Sequence, residues 1–431
     1  MTTTTESPLA SGLLLSDGQF SSVAESTARI NIWDGSVRSG KTVASLLRWL
    51  MYVATAPKGG DLVVVGKTYD TVSRNVFGPL EQFSLFGPAS KLCSYVRGSS
   101  YGRILNRKVE VITANDARAE GRLRGLTAAG AYVDEATLIP QEFWNQLLAR
   151  LSVKGAKLFA TTNPDSPGHW LRKNFLLKED ELSLAHFHFK IEDNIALDPE
   201  YVSELKKEYV GLWYKRFIEG LWVQAEGAVY DMWDPDRHVI DIMPKIMRWI
   251  SLGIDYGTKN PFAGQMIGVG VDRKMYMTNE FRWDSKAARR SLTDVEYSVK
   301  LREWMDQIKQ PGLADVTGVR PEWTVVDPSA SSFIQQLFRD GVVPIMANNS
   351  VADGIRVLSS LLGQDLLKIH RSCTGWIEEI GGYAWDDKAS EKGLDQPIKV
   401  DDHHMDAGRY GIFTTEASWR PLLAQQKAKA A

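Results

Sequence analysis

The chain has 431 residues, enough for two or three domains at roughly 150 residues each. Hydrophobic residues make up 44% and charged residues 24%, which excludes a largely disordered, collagen-like or coiled-coil protein. The net charge is −2, so any contact with nucleic acid must use local basic patches. With no leader-like start and no apolar run of about 18 residues, we expect a cytosolic protein that is not secreted and has no membrane partner.

The first part of the chain alternates strand-like and helix-like segments, which predicts an α/β doubly wound domain. Helical patterns begin at Lys41 and Gln141, and a turn-rich, polar and partly helical stretch runs from about residue 165 to Trp222. The predicted strands are 28–33, 61–66, 108–113, 130–134 and 156–161.

A second α/β domain is predicted from about Arg248. A strand over 249–255 precedes two antiparallel partners, and a helix and another strand follow. Further short elements lead to a helix near 403–414. The intervening predictions are strands at 263–271, 274–281 and 323–327 and a helix at 287–309.

Residues 35–42 match the P-loop pattern GxxxxGK[ST] between a predicted strand and a predicted helix. Backbone amides of such a loop bind phosphates, while Lys41 would reach the β- and γ-phosphates and Thr42 would bind Mg²⁺. Arg38 could stabilise charge at the γ-phosphate, although a surface ion pair is the alternative for this residue and a chance match is the alternative for the loop. The predicted nucleotide-binding residues are Gly35, Ser36, Val37, Arg38, Ser39, Gly40, Lys41 and Thr42.

An apolar strand ends in Asp134 and Glu135, the Walker B pattern. Asp134 would hold Mg²⁺ through water, and Glu135 would orient or deprotonate the attacking water. The alternative is an acidic strand end that caps the next helix. Thr161, Thr162 and Asn163 end the following strand, where they could sense the γ-phosphate.

Two arginines precede the Walker B strand. Arg122 and Arg124 lie in the segment Gly-Arg-Leu-Arg-Gly. Either could act in trans as an arginine finger in a neighbouring subunit, and a solvated basic loop is the alternative.

The second domain carries acids at the ends of two apolar strands, Asp255 and Asp327. A third acid near the last predicted helix would complete the oxygen ligands that two Mg²⁺ or Mn²⁺ ions need for phosphodiester hydrolysis. Taken singly, each acid could instead serve a turn or a helix cap.

The third metal ligand is one of Asp401, Asp402 and Asp406. We favour Asp406, because it lies inside the predicted helix, where capping does not explain an acid. His403 is three residues before Asp406 and could share its face as a ligand suited to Mn²⁺.

From about Trp33 to Phe413, these motifs together resemble the large terminase subunit of tailed bacteriophages. Segments 216–222 and 226–230 are similar to the inter-domain region of that family, and 403–410 is similar to its last nuclease motif. The family often has an adenine-contacting glutamine upstream of the P-loop, and Gln19 is the candidate here.

The resemblance implies an α/β protein with an N-terminal P-loop ATPase domain of the ASCE type and a C-terminal RNase H-like nuclease domain. The expected organisation is an N-terminal arm (1–28), an ATPase core (29–165), a linker subdomain and connection (166–245), a nuclease domain (246–415) and a C-terminal tail (416–431).

The same resemblance implies cofactors, partners and location. These are ATP with Mg²⁺ at the first site, two Mg²⁺ or Mn²⁺ at the second, double-stranded DNA, a small terminase subunit, and the portal of a procapsid. On the portal, family members assemble as a ring, a pentamer. Such a protein acts in the host cytoplasm and transiently on the procapsid. By position, the residues carried over are Arg38, Lys41, Thr42, Asp134, Glu135, Thr161, Thr162, Asn163, Asp255, Asp327, His403 and Asp406.

Two other readings of the motifs remain open. One is a helicase–nuclease of DNA repair, because Asp-Glu-Ala also occurs in helicases. The other is a structure-selective nuclease whose ATPase gates its assembly. Stimulation of ATP hydrolysis by procapsids, beyond that by DNA, would separate the packaging motor from both.

Overall fold

The computed structural model describes residues 14–114, 117–257, 261–313 and 315–424. The chain divides into two compact units. One comprises residues within 1–206, 212–224 and 391–394, and the other residues within 207–211, 225–390 and 395–431. No helix in the described ranges is long and apolar enough to cross a membrane.

The described part of the first unit contains a seven-stranded sheet in the order β3-β4-β2-β5-β6-β1-β7, parallel except for β3 against β4. Strand β6 lies between β1, which leads into the P-loop, and β5, which leads to Asp134, as in ASCE-type ATPases. The strands are β1 (Ile30–Gly35), β2 (Asp61–Gly66), β3 (Tyr101–Ile104), β4 (Arg107–Thr113), β5 (Ala128–Val133), β6 (Lys157–Thr161) and β7 (Leu184–Phe189).

Helices cover both faces of this sheet. Alternate residues of β2 point to opposite sides: Val64 packs in the layer that contains Trp49, and Val65 in the layer that contains Trp144. This two-sided burial explains why the strand is apolar throughout. The helices before residue 220 are α1 (Asp17–Glu25), α2 (Lys41–Thr55), α3 (Tyr69–Val72), α4 (Gly78–Leu80), α5 (Phe83–Phe86), α6 (Ala117–Arg124), α7 (Gln141–Arg150), α8 (Trp170–Asn174), α9 (Pro199–Glu208) and α10 (Gly211–Phe217).

The same region also contains shorter helical turns. One is a π-helical turn (Ser73–Phe77) between α3 and α4. The 3₁₀ turns are Gly87–Leu92, Ala136–Leu138, Leu176–Lys178 and Ile191–Asp193.

The second unit also has a seven-stranded sheet within its described residues, in the order β13-β12-β9-β10-β11-β14-β8. Strands β9, β10 and β11 form an antiparallel meander, and β12 joins β9 in parallel, which is the RNase H-like arrangement. The strands are β8 (Val239–Ile240), β9 (Ile246–Asp255), β10 (Phe262–Gly270), β11 (Met275–Trp283), β12 (Trp323–Val326), β13 (Pro344–Met346) and β14 (Leu367–His370).

Helix α17 (His403–Thr414) packs directly on β9 through small residues. A Cβ atom on Gly253 would lie 2.0 Å from the carbonyl oxygen of Ala407, so only glycine permits this approach. The contact brings the acids of the helix close to the strand that ends in Asp255. The helices of this part of the chain are α11 (Pro235–His238), α12 (Asp294–Gln307), α13 (Ser331–Arg339), α14 (Val351–Gly363), α15 (Thr374–Gly382), α16 (Asp387–Glu391), α17 (His403–Thr414) and α18 (Glu416–Ala424).

The predicted fold class is confirmed, and so is the strand–hairpin–helix–strand–helix order of the second domain. The stretch expected to be polar and partly helical adds β7 to the first sheet, next to β1. This strand was not predicted because its histidines made the segment look solvent-exposed. In the structure, His186 and His188 bond to a buried acid. The arm contains α1 and the tail contains α18. The domain boundaries stay predictions.

Candidate functional site

The P-loop connects the end of β1 to the start of α2. Gly35 and Gly40 have positive φ angles of 130° and 82°. A Cβ atom at Gly35 would lie 1.8 Å from the carbonyl oxygen of Phe189 on the neighbouring strand. Glycine is therefore needed where the chain turns, and the loop amides precede a helix N-terminus that favours bound phosphate.

Lys41 opens α2 and is buried, with 7% of its surface exposed. Its Nζ atom donates hydrogen bonds to the carbonyl oxygen of Ser36 at 2.9 Å and to Oδ1 of Asn163 at 2.7 Å. Burial lowers the pKa of Lys41 to about 8, against the opposing charges of Asp34, Glu135 and Asp134. One cation thus joins the P-loop to the segment that follows β6.

Asp134 follows β5 with both carboxylate oxygens engaged. Oδ1 accepts a hydrogen bond from Thr161 Oγ1 at 3.1 Å, and Oδ2 accepts one from Asn75 Nδ2 at 2.9 Å. Burial raises the pKa of Asp134, and the same two bonds oppose that change. Asn75 lies in the π-helical turn, which has no sequence signature, so its position beside Asp134 was not predicted.

Glu135 adopts a left-handed backbone conformation with φ 52°. This is a strained conformation for a residue with a side chain, and such strain clusters at functional sites. Burial, followed by the charge of Asp134, raises the pKa of Glu135. Two residues after Glu135, the Oγ1 atom of Thr137 lies 2.8 Å from Oγ1 of Thr162, which follows β6.

Side chains from two distant segments support the P-loop backbone. Gln19 Nε2 in α1 donates to the carbonyl oxygen of Ser39, and Asn194 Nδ2 donates to that of Arg38, each at 2.7 Å. Arg38 is exposed and has a φ of 58°. Gln19 therefore lies against the P-loop, and its contact with adenine stays a prediction.

Among the remaining residues predicted for the first site, Ser36 and Ser39 are buried and Val37 is half-buried. Thr42 is half-buried in the first turn of α2. Arg122 and Arg124 are both exposed on α6, and Arg122 Nη1 donates to Tyr69 Oη at 2.6 Å. Their action in trans stays a prediction.

A buried acid immediately precedes the P-loop. The carboxylate of Asp34 accepts hydrogen bonds from His186 Nε2 at 2.8 Å, His188 Nδ1 at 2.9 Å and Trp222 Nε1 at 2.7 Å. Burial by itself raises the pKa of Asp34, but the two histidine bonds reverse this and hold it far below its usual value. Burial lowers the pKa of His186, and the bond to Asp34 outweighs this and raises it.

We expect Asp34→Asn to lower the free energy of unfolding by about 2 kcal/mol near pH 6, because it replaces the charged acceptor of these hydrogen bonds with a neutral one. Protonated His186 stabilises the folded state fully below its unfolded pKa, and this stability is lost as pH rises through the raised folded pKa. The melting-temperature difference from wild type should therefore be largest near pH 5.5 and shrink by pH 9. Thermal unfolding across this range measures it, with exposed Asp180→Asn as the control. A pH-independent difference would contradict the pairing.

The second site begins at the end of β9. Asp255 Oδ2 lies 2.9 Å from His403 Nδ1, on the first residue of α17. Burial raises the pKa of Asp255; the bond from His403 lowers it, and the charges of Asp406 and Asp327 raise it further. The other three predicted ligands, Asp327, Asp406 and His403, thus lie close enough to Asp255 for their charges to affect its pKa.

Neighbouring donors engage the other two acids. Asp327 Oδ2 accepts a hydrogen bond from Tyr410 Oη at 2.9 Å. Asp406 accepts bonds from Arg409 Nη2 at 2.7 Å and from Lys399 Nζ at 3.1 Å. The cationic partners offset the repulsion between carboxylates that share this site.

Among the three alternatives for the last ligand, Asp402 and Asp406 are equally buried, and of these two it is the charge of Asp406 that raises the pKa of Asp255. Asp402 precedes α17 and pairs with Lys399 at 3.0 Å, and Asp401 is exposed. Across the residues that the structure describes, no three acidic, histidine or cysteine side chains are gathered closely enough to hold one metal ion. The donor types suit hard divalent cations, and the assignment of ligands stays a prediction.

The sequence analysis did not predict the residue that holds the start of α17. Buried Glu379 accepts hydrogen bonds from the backbone N–H groups of His404 at 2.6 Å and Met405 at 3.1 Å. A carboxylate at a helix N-terminus satisfies free amides and complements the helix dipole. Glu379 thereby fixes the end of the helix that carries His403 and Asp406.

The fold and the two sites define a class of protein. In this class, a P-loop ATPase-type domain is joined in one chain to an RNase H-like domain that carries an acidic cluster. Residues 32–234 match the model of the family described as terminase large subunit, T4likevirus-type, N-terminal. The large terminase of the thermophilic bacteriophage D6E is 31% identical to this chain, with a TM-score of 0.84 over 93% of this chain and 99% of that one. The chain belongs to the phage large terminase family.

The D6E protein has also been solved with nucleotides. Its ADP complex matches with 32% identity and a TM-score of 0.83, over 93% of this chain and 99% of that one. Its complex with ATP-gamma-S matches with 32% identity and a TM-score of 0.80, over 92% and 98%. No curated protein sequence matches the chain.

Proposed function

We propose that the chain is the motor subunit of a phage DNA-packaging machine. It hydrolyses ATP to translocate double-stranded DNA into a procapsid and cuts concatemeric DNA with a two-metal endonuclease. The observation that carries this proposal is the similarity to the D6E large terminase across both sheets. The nucleotide complexes of that relative support ATP as the substrate of the P-loop.

In the ATPase site, the amides of residues 35–42 and the ammonium group of Lys41 bind the phosphates. Thr42 and Asp134 would hold Mg²⁺, which would neutralise phosphate charge. Glu135 accepts a proton from the attacking water, a role that its raised pKa suits. Arg38 stabilises charge at the γ-phosphate, and Arg122 or Arg124 of a neighbouring copy adds to this in trans.

Coupling of hydrolysis to movement uses the end of β6. Asn163 bonds to Lys41, Thr161 bonds to Asp134, and Thr162 bonds to Thr137. When Lys41 turns toward a γ-phosphate, the bond to Asn163 changes. The segment 161–163 is therefore poised to report the state of the nucleotide.

In the nuclease site, Asp255, Asp327 and Asp406, with His403, would hold two Mg²⁺ or Mn²⁺ ions. When bound, such ions would supply an activated water and charge stabilisation for the leaving oxygen of the phosphodiester. Asp255 orients the ring of His403, and Tyr410 fixes the carboxylate of Asp327. Glu379 fixes the helix that carries the third acid.

The partners follow from the packaging role. The chain docks as a pentameric ring on the portal of a procapsid, receives DNA from a small terminase subunit, and works in the host cytoplasm. The near-neutral charge of −2 suits a motor that must grip DNA through local contacts and then release it.

Procapsids of its own phage provide the test. With linear DNA and ATP, we expect added procapsids to stimulate ATP turnover beyond the rate with DNA alone, and DNA to become resistant to an added nuclease. DNA without procapsids is the control. Full stimulation by DNA alone together with ATP-dependent strand separation would favour the helicase–nuclease, and procapsid-independent cutting gated by ATP would favour the structure-selective nuclease.

A further inference from the structure

Arg282 lies across the central strand from Asp255. Ala263 on β10 pairs with Asp255 on one side and with Arg282 on the other. Directly paired residues present their side chains on the same face of a sheet, and strands are about 4.8 Å apart. Arg282 and Asp255 therefore share a face, with their Cα atoms roughly 10 Å apart.

Contacts agree with this placement. Arg282 Nη1 lies 3.5 Å from Oε1 of Glu379, the residue that holds the start of α17. The adjacent Phe281 packs against Trp304 of α12, in the core on the other face. Arg282 is thus directed toward the acidic cluster.

The charge of this face poses a problem for DNA. Its acids include Asp255, whose charge repels a phosphodiester chain, and Asp406 and Glu379, which neighbouring donors already engage. The side chain of Arg282 is 38% exposed, and its ion pair with Glu379 is long, so donors of the guanidinium remain for another acceptor. Exposed Lys286 and Arg289 follow on the loop after β11.

We propose that Arg282 forms a phosphate-binding subsite of the nuclease, which contacts the DNA backbone beside the bond that is cut. The planar guanidinium matches a phosphate with two parallel hydrogen bonds. Lys286 and Arg289 extend the contact along the backbone. The inference rests on the proposed nuclease function.

The test compares Mn²⁺-dependent cleavage of a short DNA duplex by full-length variants at several salt concentrations. Arg282→Ala should lower kcat/KM about 10- to 100-fold, mainly through KM, as expected for loss of one charged contact. The slope of log kcat/KM against log salt should weaken by about 0.9, the value for one phosphate contact. Arg282→Lys should restore the salt slope and part of the rate, and ATP turnover should not change.

Two controls separate binding of DNA from support of the fold. Arg248 is 39% exposed and pairs with Glu322 near the opposite end of β9, so Arg248→Ala should leave cleavage unchanged. Glu379→Gln weakens the ion pair but keeps an oxygen for the helix amides, so it should preserve the salt slope.

The possible failures are distinguishable. Two results would overturn the phosphate subsite alone. One is that Arg282→Ala leaves cleavage unchanged. The other is that Arg282→Ala and Glu379→Gln lower cleavage equally while the salt slope stays the same. No cleavage by a folded wild type loaded with Mn²⁺ overturns the proposed nuclease function, and the subsite with it.

Discussion

Lys41→Ala is expected to lower ATP turnover by at least about 10²-fold while leaving DNA cleavage intact, because it removes the cation that stabilises phosphate charge. Lys41 is held by Ser36 and Asn163 within the P-loop site, and none of these residues belongs to the nuclease cluster. The effect should appear in kcat, since the developing charge on the phosphates is the feature stabilised. Steady-state ATP hydrolysis and Mn²⁺-dependent cutting, measured on one preparation, provide the comparison.

A matched control is available beyond the far end of the same helix. Lys58 is exposed three residues after α2 ends, so Lys58→Ala should leave ATP turnover near the wild-type rate. Equal loss of both activities in a folded Lys41→Ala protein would count against separate sites.

Asp255→Asn should give the converse result: loss of DNA cleavage by at least about 10²-fold with normal ATP turnover. The amide keeps the shape of the side chain and an acceptor for His403, but it lacks the charge that a divalent cation requires. Relief of repulsion among the neighbouring acids should preserve the fold. Plasmid cutting with Mn²⁺ measures the loss, and the melting temperature checks folding.

Exposed Asp387 on α16 offers the control acid, and Asp387→Asn should cut DNA at the wild-type rate. Retained cutting by Asp255→Asn would refute the assignment of Asp255 as a metal ligand. Loss of cutting in both variants would indicate a general effect of charge rather than a site.

Local patterns predicted the elements that carry both sites. The P-loop spacing correctly placed the start of α2 at Lys41, and the apolar run 61–66 coincides with β2. Helix α17 covers the predicted 403–414. These predictions succeeded because each depends on backbone geometry or periodicity within a short segment.

Other features had no such local signal. Strand β7 was not predicted because His186 and His188 look polar in sequence, whereas in the fold they serve a buried acid. Asn75 reaches Asp134 from 59 residues away, and Glu379 reaches α17 from 25 residues away. Contacts over such separations depend on how the chain packs rather than on its local pattern.

The sequence by itself determined the α/β class, the P-loop, the Walker B acids and the set of acids offered to metal ions, since each follows from residue type and spacing. Only the tertiary structure decided which side chains meet: Lys41 with Asn163, Asp134 with Asn75, Asp255 with His403, and Arg282 on the face of Asp255. The physical reason is that strand order and register set these distances, and both arise from long-range pairing and helix packing.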